Sequence, residues 1–161
     1  MNSERLKAGM AEAPLHIPGD LDGIDNLDAE SLGLFCFADQ RPLSGVAGFV
    51  DWRLCGAISR LLLGGLFSGQ RDETLMLPVT GTLSVRRVFL FGLGQAGKTN
   101  RTGLTGSCGL AIEVMRRAGV EQIFLGQPAL RRDAKLRDLF MDVTSRTMSR
   151  HISGLLIDPR K

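Results

Sequence analysis

One stretch of this chain has the residue types and spacing to hold phosphate. Gly92-Leu93-Gly94-Gln95-Ala96-Gly97-Lys98-Thr99 reads as G-x-x-x-x-G-K-T, the phosphate loop of nucleoside triphosphatases, and also as G-x-G-x-x-G, the dinucleotide fingerprint. In either role glycines let backbone N–H groups approach phosphate oxygens, and a lysine adds positive charge. Gly92, Gly94, Gly97, Lys98 and Thr99 are therefore the candidate ligand-binding residues. The stretch follows the apolar run Val88-Phe89-Leu90-Phe91, as both motifs require a preceding strand.

Three features oppose a working triphosphatase. A P-loop helix starts at the Lys-Thr itself, whereas residues 100–106 read as further loop with two more glycines. Only 62 residues follow Thr99, few for the βαβ units such a core stacks after its loop. The one Walker B-like string, Leu155-Leu156-Ile157-Asp158, falls close to the chain end. For a dinucleotide, Glu113 and Glu121 are near the required distance, but neither clearly ends a second strand. The competing reading is a strand-to-helix turn that needs glycine for its backbone alone.

Other chemistry is thinly supplied. His16 and His151 are the only histidines and form no cluster with cysteine, so no metal site is expected. Ser107 lies in no G-x-S-x-G elbow and reads as a helix N-cap. Asp20, Asp22, Asp25, Asp28 and Glu30 miss the EF-hand spacing and read as a solvated acidic segment. Cys36, Cys55 and Cys108, an odd count without a CxxC pair, read as buried free thiols. The arginine pairs 86–87, 116–117 and 131–132 could contact phosphates, but one Trp and no Tyr give little to stack bases on.

The elements that would position these residues alternate between strand and helix. Residues 1–30, with Pro14, Pro18 and scattered acids, read as a lead-in that is partly disordered or peripheral. Residues 31–161 read as a single α/β domain. Leu32–Phe37 is an apolar run expected to be buried on both faces of a sheet. Asp51 is expected to cap a helix that buries Leu54, Ile58, Leu61 and Leu62 and stops at Gly64-Gly65. Residues 74–79 predict a strand that Pro78 confines to an edge. Residues 83–91 predict the strongest strand, followed by a loop over 92–106 and a helix over 107–118 that Gly119 ends. Then come a short strand at 122–125, the longest helix from Arg131 to about Ile152, and a terminal strand at 155–157. This order predicts helices on both faces of a sheet.

Bulk properties agree with one globular domain. Of 161 residues, 43% are hydrophobic and 23% charged, enough to build a core without staples. The longest apolar run, residues 61–67, is too short to span a bilayer, and the first twelve residues hold charges and no apolar signal core, so a cytoplasmic protein is expected. Charge is uneven. Residues 1–80 carry 6 Lys/Arg against 11 Asp/Glu, and residues 81–161 carry 14 against 6. Such polarity suits head-to-tail association of copies, an acidic partner or nucleic acid.

In sequence order these pieces resemble the N-terminal domain of the leucyl aminopeptidase (cytosol aminopeptidase) family. The resemblance rests on an apolar strand ending in Gly92-Leu93-Gly94, a polar loop and then an Ala/Gly-rich helix. It also rests on Leu43-Ser44-Gly45 ahead of the Asp51 helix and on Gly64-Gly65-Leu66-Phe67-Ser68-Gly69-Gln70, similar to the family's glycine turn with Gln70 in place of its Lys. It covers residues 30–128. It implies a three-layer α/β fold with a mixed sheet, similar to macro domains, and a role in oligomer organisation without catalytic metal ligands. The family's peptidase site belongs to a C-terminal domain whose Asn-Thr-Asp-Ala-Glu-Gly-Arg signature does not occur in these 161 residues. The expected function is self-assembly or docking onto a protein partner, without cofactor or catalysis. Two alternatives stay open: an ADP-ribose-like or other nucleotide ligand at Gly92–Thr99, and a DNA-associated accessory role.

Overall fold

Seven consecutive buried residues, Ser31–Phe37 (β2), form the strand from which the rest of the molecule is laid out. Such a run has no polar face, so it must lie between two apolar layers. In the computed structural model, which describes residues 13–81, 83–130 and 133–159, both layers are present. Leu32, Leu34 and Cys36 point into one core and Phe35 and Phe37 into the other. Arg87–Gly94 (β4) pairs with β2 in parallel and alternates the same way, with Val88 and Leu90 on the first side and Phe89, Phe91 and Leu93 on the second.

Among the described residues the sheet has six strands in the order β1-β6-β5-β2-β4-β3, where β1 is Leu15–Pro18, β3 Thr74–Pro78, β5 Phe124–Gly126 and β6 Gly154–Ile157. All neighbours are parallel except β3, which runs antiparallel on β4 and forms one edge. On one face lie the short α1 (Leu21–Asp25), α2 (Gly45–Arg53) and α3 (Ala57–Leu63), which bury Ile24, Val46, Val50 and Ile58. On the other lie α4 (Arg101–Arg117) and α5 (Ala134–Asp142), which bury Leu104, Cys108, Met115, Leu136 and Phe140. The three-layer α/β architecture with a mixed sheet is thus present. No helix among the described residues is long and apolar enough to cross a membrane.

Several elements depart from their sequence reading, each for an identifiable reason. Of the segment read as a lead-in, residues 1–12 lie outside the described residues. Leu15–Pro18 is a mostly exposed edge strand, and from the segment that follows it Ile24 and Leu27 are buried. Asp51 does not open a helix but sits within α2, buried. Its carboxylate accepts from the Ile58 N–H at 2.8 Å, the Ser59 N–H at 3.1 Å and the Ser59 hydroxyl, which caps the next helix, α3, seven residues away. Between the two helices, Cys55 (φ 55°) and Gly56 (φ 79°) turn the chain through the left-handed region, leaving Cys55 exposed where a buried thiol was expected.

Helix α4 begins at Arg101 and not at residue 107. Asn100 caps it through the Gly103 N–H at 2.8 Å, and Gly103 and Gly106 are helical. Ser107 is a buried mid-helix residue and no cap. With 17 residues α4 is the longest helix among the described residues, because the segment expected to run from Arg131 to Ile152 is interrupted. Arg131 and Arg132 lie outside the described residues. α5 ends at Asp142, and Val143–Thr147 continues as a π turn in which the Met148 N–H bonds to the Val143 carbonyl at 2.9 Å. The Thr144 hydroxyl donates back to the Phe140 carbonyl at 2.7 Å, a bond that competes with the helical ladder at this point.

Candidate functional site

The five candidate residues do not surround one common space. Gly92 and Gly94 are the last glycines of β4, and their N–H groups are consumed within the fold: Gly92 donates to the Glu73 carbonyl at 2.8 Å and Gly94 to the Gly69 carbonyl at 2.9 Å. The Gly94 carbonyl in turn accepts from the Ala38 N–H at 2.8 Å. A Cβ added to Gly92 would lie 1.9 Å from the Gln70 carbonyl oxygen, so the backbone of residues 69–70 passes where a side chain would stand. Gly94 has φ 74°, which favours glycine whatever its surroundings. The first half of the motif is therefore glycine because another loop is packed onto it.

That loop carries its own anion. The Glu73 carboxylate accepts from the Ser68 N–H at 3.0 Å, the Ser68 hydroxyl at 2.6 Å and the Gln70 N–H at 3.1 Å. The hydrogen bond from the Ser68 hydroxyl, helped by those from the loop backbone, holds this carboxyl below its ordinary range against the opposing effect of partial burial. Gly69 (φ 83°) closes the loop onto Phe37 and Ala38, and Phe67 is fully buried beneath it. A cluster of N–H groups of the kind that binds phosphate exists at residues 68–70, and the protein fills it with Glu73.

The second half of the motif is a single 3-10 turn, Ala96–Lys98. The Ala96 N–H donates to Asp39 Oδ1 at 3.0 Å, the Lys98 N–H to the Gln95 carbonyl at 3.1 Å and the Thr99 N–H to the Ala96 carbonyl at 3.2 Å. Gly97 faces open space and Lys98 is exposed. Lys98 and Thr99 line, with Arg71, Asn100 and Gly103, a cavity of about 20 Å³ at the N-terminus of α4. Arg71 lies across Gly103, with a guanidinium nitrogen 2.7 Å from where a Cβ would be. Two cations and a helix N-terminus make this corner positive. Its enclosed volume suits a water molecule and not a nucleotide. The start of α4 at Arg101 removes the objection that the helix begins too late for a P-loop; the committed N–H groups take its place.

The remaining candidates are dispersed. His16 and His151 are both exposed, on β1 and on the 3-10 turn before β6. Among the described residues no three His, Cys, Asp or Glu side chains group as a metal site would require. Burial pushes the Cys36 and Cys108 thiols up to about 12, which makes both poor nucleophiles. The acidic segment is structural in part: Asp20 caps α1 through the Gly23 N–H at 2.9 Å, and Asp25 pairs with Arg53 at 2.6 Å. Glu30 grips Arg87 at 2.7 Å, and that guanidinium also caps the end of α4 by donating to the Ala118 carbonyl at 2.7 Å. One member of the 86–87 pair is thus committed, and Arg117 is paired with Glu113 at 2.8 Å.

Sequence reasoning misses a different feature, large apolar side chains left in water. Leu63 is 88% exposed, Leu66 71% and Trp52 66%. Leu63 and Leu66 bracket the exposed Gly64-Gly65 turn inside an uncharged run, residues 61–67. The signal is that run itself: too short for a membrane span, it is still long enough to leave apolar surface on a turn.

Comparison with known proteins follows the same lines. The model of the cytosol aminopeptidase family, N-terminal domain, matches residues 32–148. A probable cytosol aminopeptidase of Burkholderia orbicola is 30% identical over 111 residues, which cover 69% of this chain and 22% of that protein. One from Burkholderia multivorans is 36% identical over 74 residues, 46% of this chain and 14% of the relative. The chain thus matches about a fifth or less of the length of these relatives. Among solved structures, a tomato leucine aminopeptidase mutant superposes with a TM-score of 0.61 at 14% identity, over 92% of this chain and 33% of that one. The macrodomain of Mycobacterium tuberculosis DarG superposes at 0.60 and 12% identity, over 92% and 99%. At such identities these structures show a shared macrodomain-like fold and nothing further.

Proposed function

Because the chain belongs to the cytosol aminopeptidase family and carries its N-terminal domain, we propose that it acts by association, with copies of itself or a protein partner, and not by catalysis. The observation that carries this reading is the exposure of Leu63 and Leu66 on either side of one turn, with Trp52 also exposed on α2. Leaving a leucine in water forgoes roughly 1.5–3 kcal/mol of burial. A turn of two glycines between two exposed leucines therefore gains most by being covered. The surface is uncharged over residues 61–67, as the centre of an interface is. The opposite charge excess of the two halves of the chain would add orientation to such a contact.

Light scattering at moderate salt tests this reading. The wild-type chain, 17.5 kDa, is expected to show a mass that rises with concentration to a defined multiple. The double substitution Leu63→Lys and Leu66→Lys is expected to weaken that association without lowering the melting temperature, since both side chains are already exposed. A wild type that stays at its monomer mass at every concentration, with no co-purifying protein, defeats the proposal.

A further inference from the structure

Strand β3 is the antiparallel edge of the sheet, and its pairing shows which of its backbone groups the described residues leave unused. The Val79 N–H donates to the Arg86 carbonyl at 2.7 Å and the Gly92 N–H to the Glu73 carbonyl at 2.8 Å. In an antiparallel ladder the residues that bond to a given neighbour alternate, so Glu73, Leu75, Leu77 and Val79 face β4. The backbone groups of Thr74, Met76 and Pro78 then face away from the sheet. This alternation places Pro78 where its missing N–H costs the ladder nothing. The same three residues are exposed on the face that carries Phe89 and Phe91, with Met76 directly opposite Phe89. None is charged, although charge is a common protection of a free edge.

We propose that β3 pairs antiparallel with β3 of a second copy about a twofold axis at Met76, joining the two sheets into one. This rests on the association reading and names one contact by which it would occur. A second copy fits the hydrogen-bonding pattern of this edge. Met76 is the midpoint of Thr74–Pro78, so full overlap of two such strands sets Met76 opposite itself. Each Met76 N–H then meets the other copy's Met76 carbonyl. Each Thr74 N–H meets the other copy's Pro78 carbonyl. Every outward donor of the strand finds an acceptor, and Pro78, which has none to give, lies at the end of the overlap. A twofold axis on Leu75 would satisfy the same donors but overlap only residues 74–76 of each strand, and one on Pro78 would put two residues without donors at its centre. One on Thr74 would bring Asp72, in the left-handed region at φ 66°, into the ladder. The pairing also covers Met76, 47% exposed, with its own copy beside the Phe89 ring.

Charge exchange at the axis tests the pairing on the full chain. Met76→Lys places two ammonium groups face to face across the axis, and Met76→Glu two carboxylates; each variant alone is expected to weaken association at least about tenfold. Mixing the two is expected to restore the wild-type mass in sedimentation, as a Lys–Glu pair replaces each repulsion. Melting curves serve as the folding control, and an exposed position predicts little change. A wild type that is monomeric throughout overturns this pairing and the association reading together. A wild type that associates with variants that associate equally overturns the pairing alone. Variants that dissociate but do not recombine on mixing also overturn it, because they would show a surface at Met76 that does not meet itself.

Discussion

The two glycine-rich segments, residues 64–70 and 92–97, look alike in the sequence and meet different demands in the fold. Gly69, Gly92 and Gly94 lie where the two segments press together, backbone against backbone. Gly65 and Gly97 face open space, with nothing within 4 Å of where a Cβ would stand. Gly64 and Gly65 end a helix, and Gly97 sits in a single 3-10 turn. A motif match counts glycines without asking what each one is near. Here G-x-G is fixed by a loop some twenty residues earlier in the chain, and only Gly97 of the motif's glycines stands clear of other atoms.

Substitution can break this contrast at its strongest point first. Gly92→Ala forces a methyl group into the Gln70 carbonyl, so the 69–70 loop or β4 must shift. The expected loss is at the high end for overpacking, roughly 3 kcal/mol, or a melting temperature lower by about 10 °C. An unchanged melting curve would show that the two segments do not press together as described.

Glu73→Gln probes the same contact through charge. The carboxylate is partly exposed, so removing its charge is expected to cost only about 1 kcal/mol. The folded pKa lies below the ordinary value of 4.5, so the stabilisation is fully present above pH 4.5. It is lost as the pH falls through the depressed folded value. Urea denaturation should therefore separate wild type from variant at pH 7 and bring them together in acid. A gap that stays constant into acid would assign the loop's stability to shape and not to ionisation.

Gly97→Ala sets the lower bound. Its φ is not positive and no atom is near, so stability should change by no more than about 0.5 kcal/mol, in the stabilising direction if at all. Thermal denaturation beside Gly92→Ala measures the contrast directly. A large loss at Gly97 would mean that the exposed turn is constrained by something besides the described fold.

Much of the fold is legible in local pattern. The all-apolar run at 32–37 predicts a strand buried on both faces, Pro78 places its strand at an edge, and Gly119 ends α4 at φ 85°. What escapes is set by partners distant in sequence. Leu15–Pro18 reads as a short apolar stretch among prolines until β6 pairs with it, and Gly103 and Gly106 read as loop until Asn100 caps a helix through them. The π turn after Asp142 leaves no periodic trace, because the Thr144 hydroxyl acts within a stretch that otherwise looks helical. The candidate site is legible as a string of residue types. The reason for its glycines is not, since contacts with residues 69–71 have no local signature. The exposed Leu63 and Leu66 are visible as letters, but only the packing of α3 decides which leucines of that run reach the core.

Asp51 has a consequence beyond its three hydrogen bonds. It is rooted in α2 and caps α3, so neither helix can fray at the junction without stripping a buried carboxylate of its donors. The sharp left-handed reversal at Cys55-Gly56 is thus bridged by a side chain that ties the two helices together. The two helices are therefore expected to exchange their amide protons as one cooperative unit, with the exposed leucines at the far end of α3 held in place by the same contact.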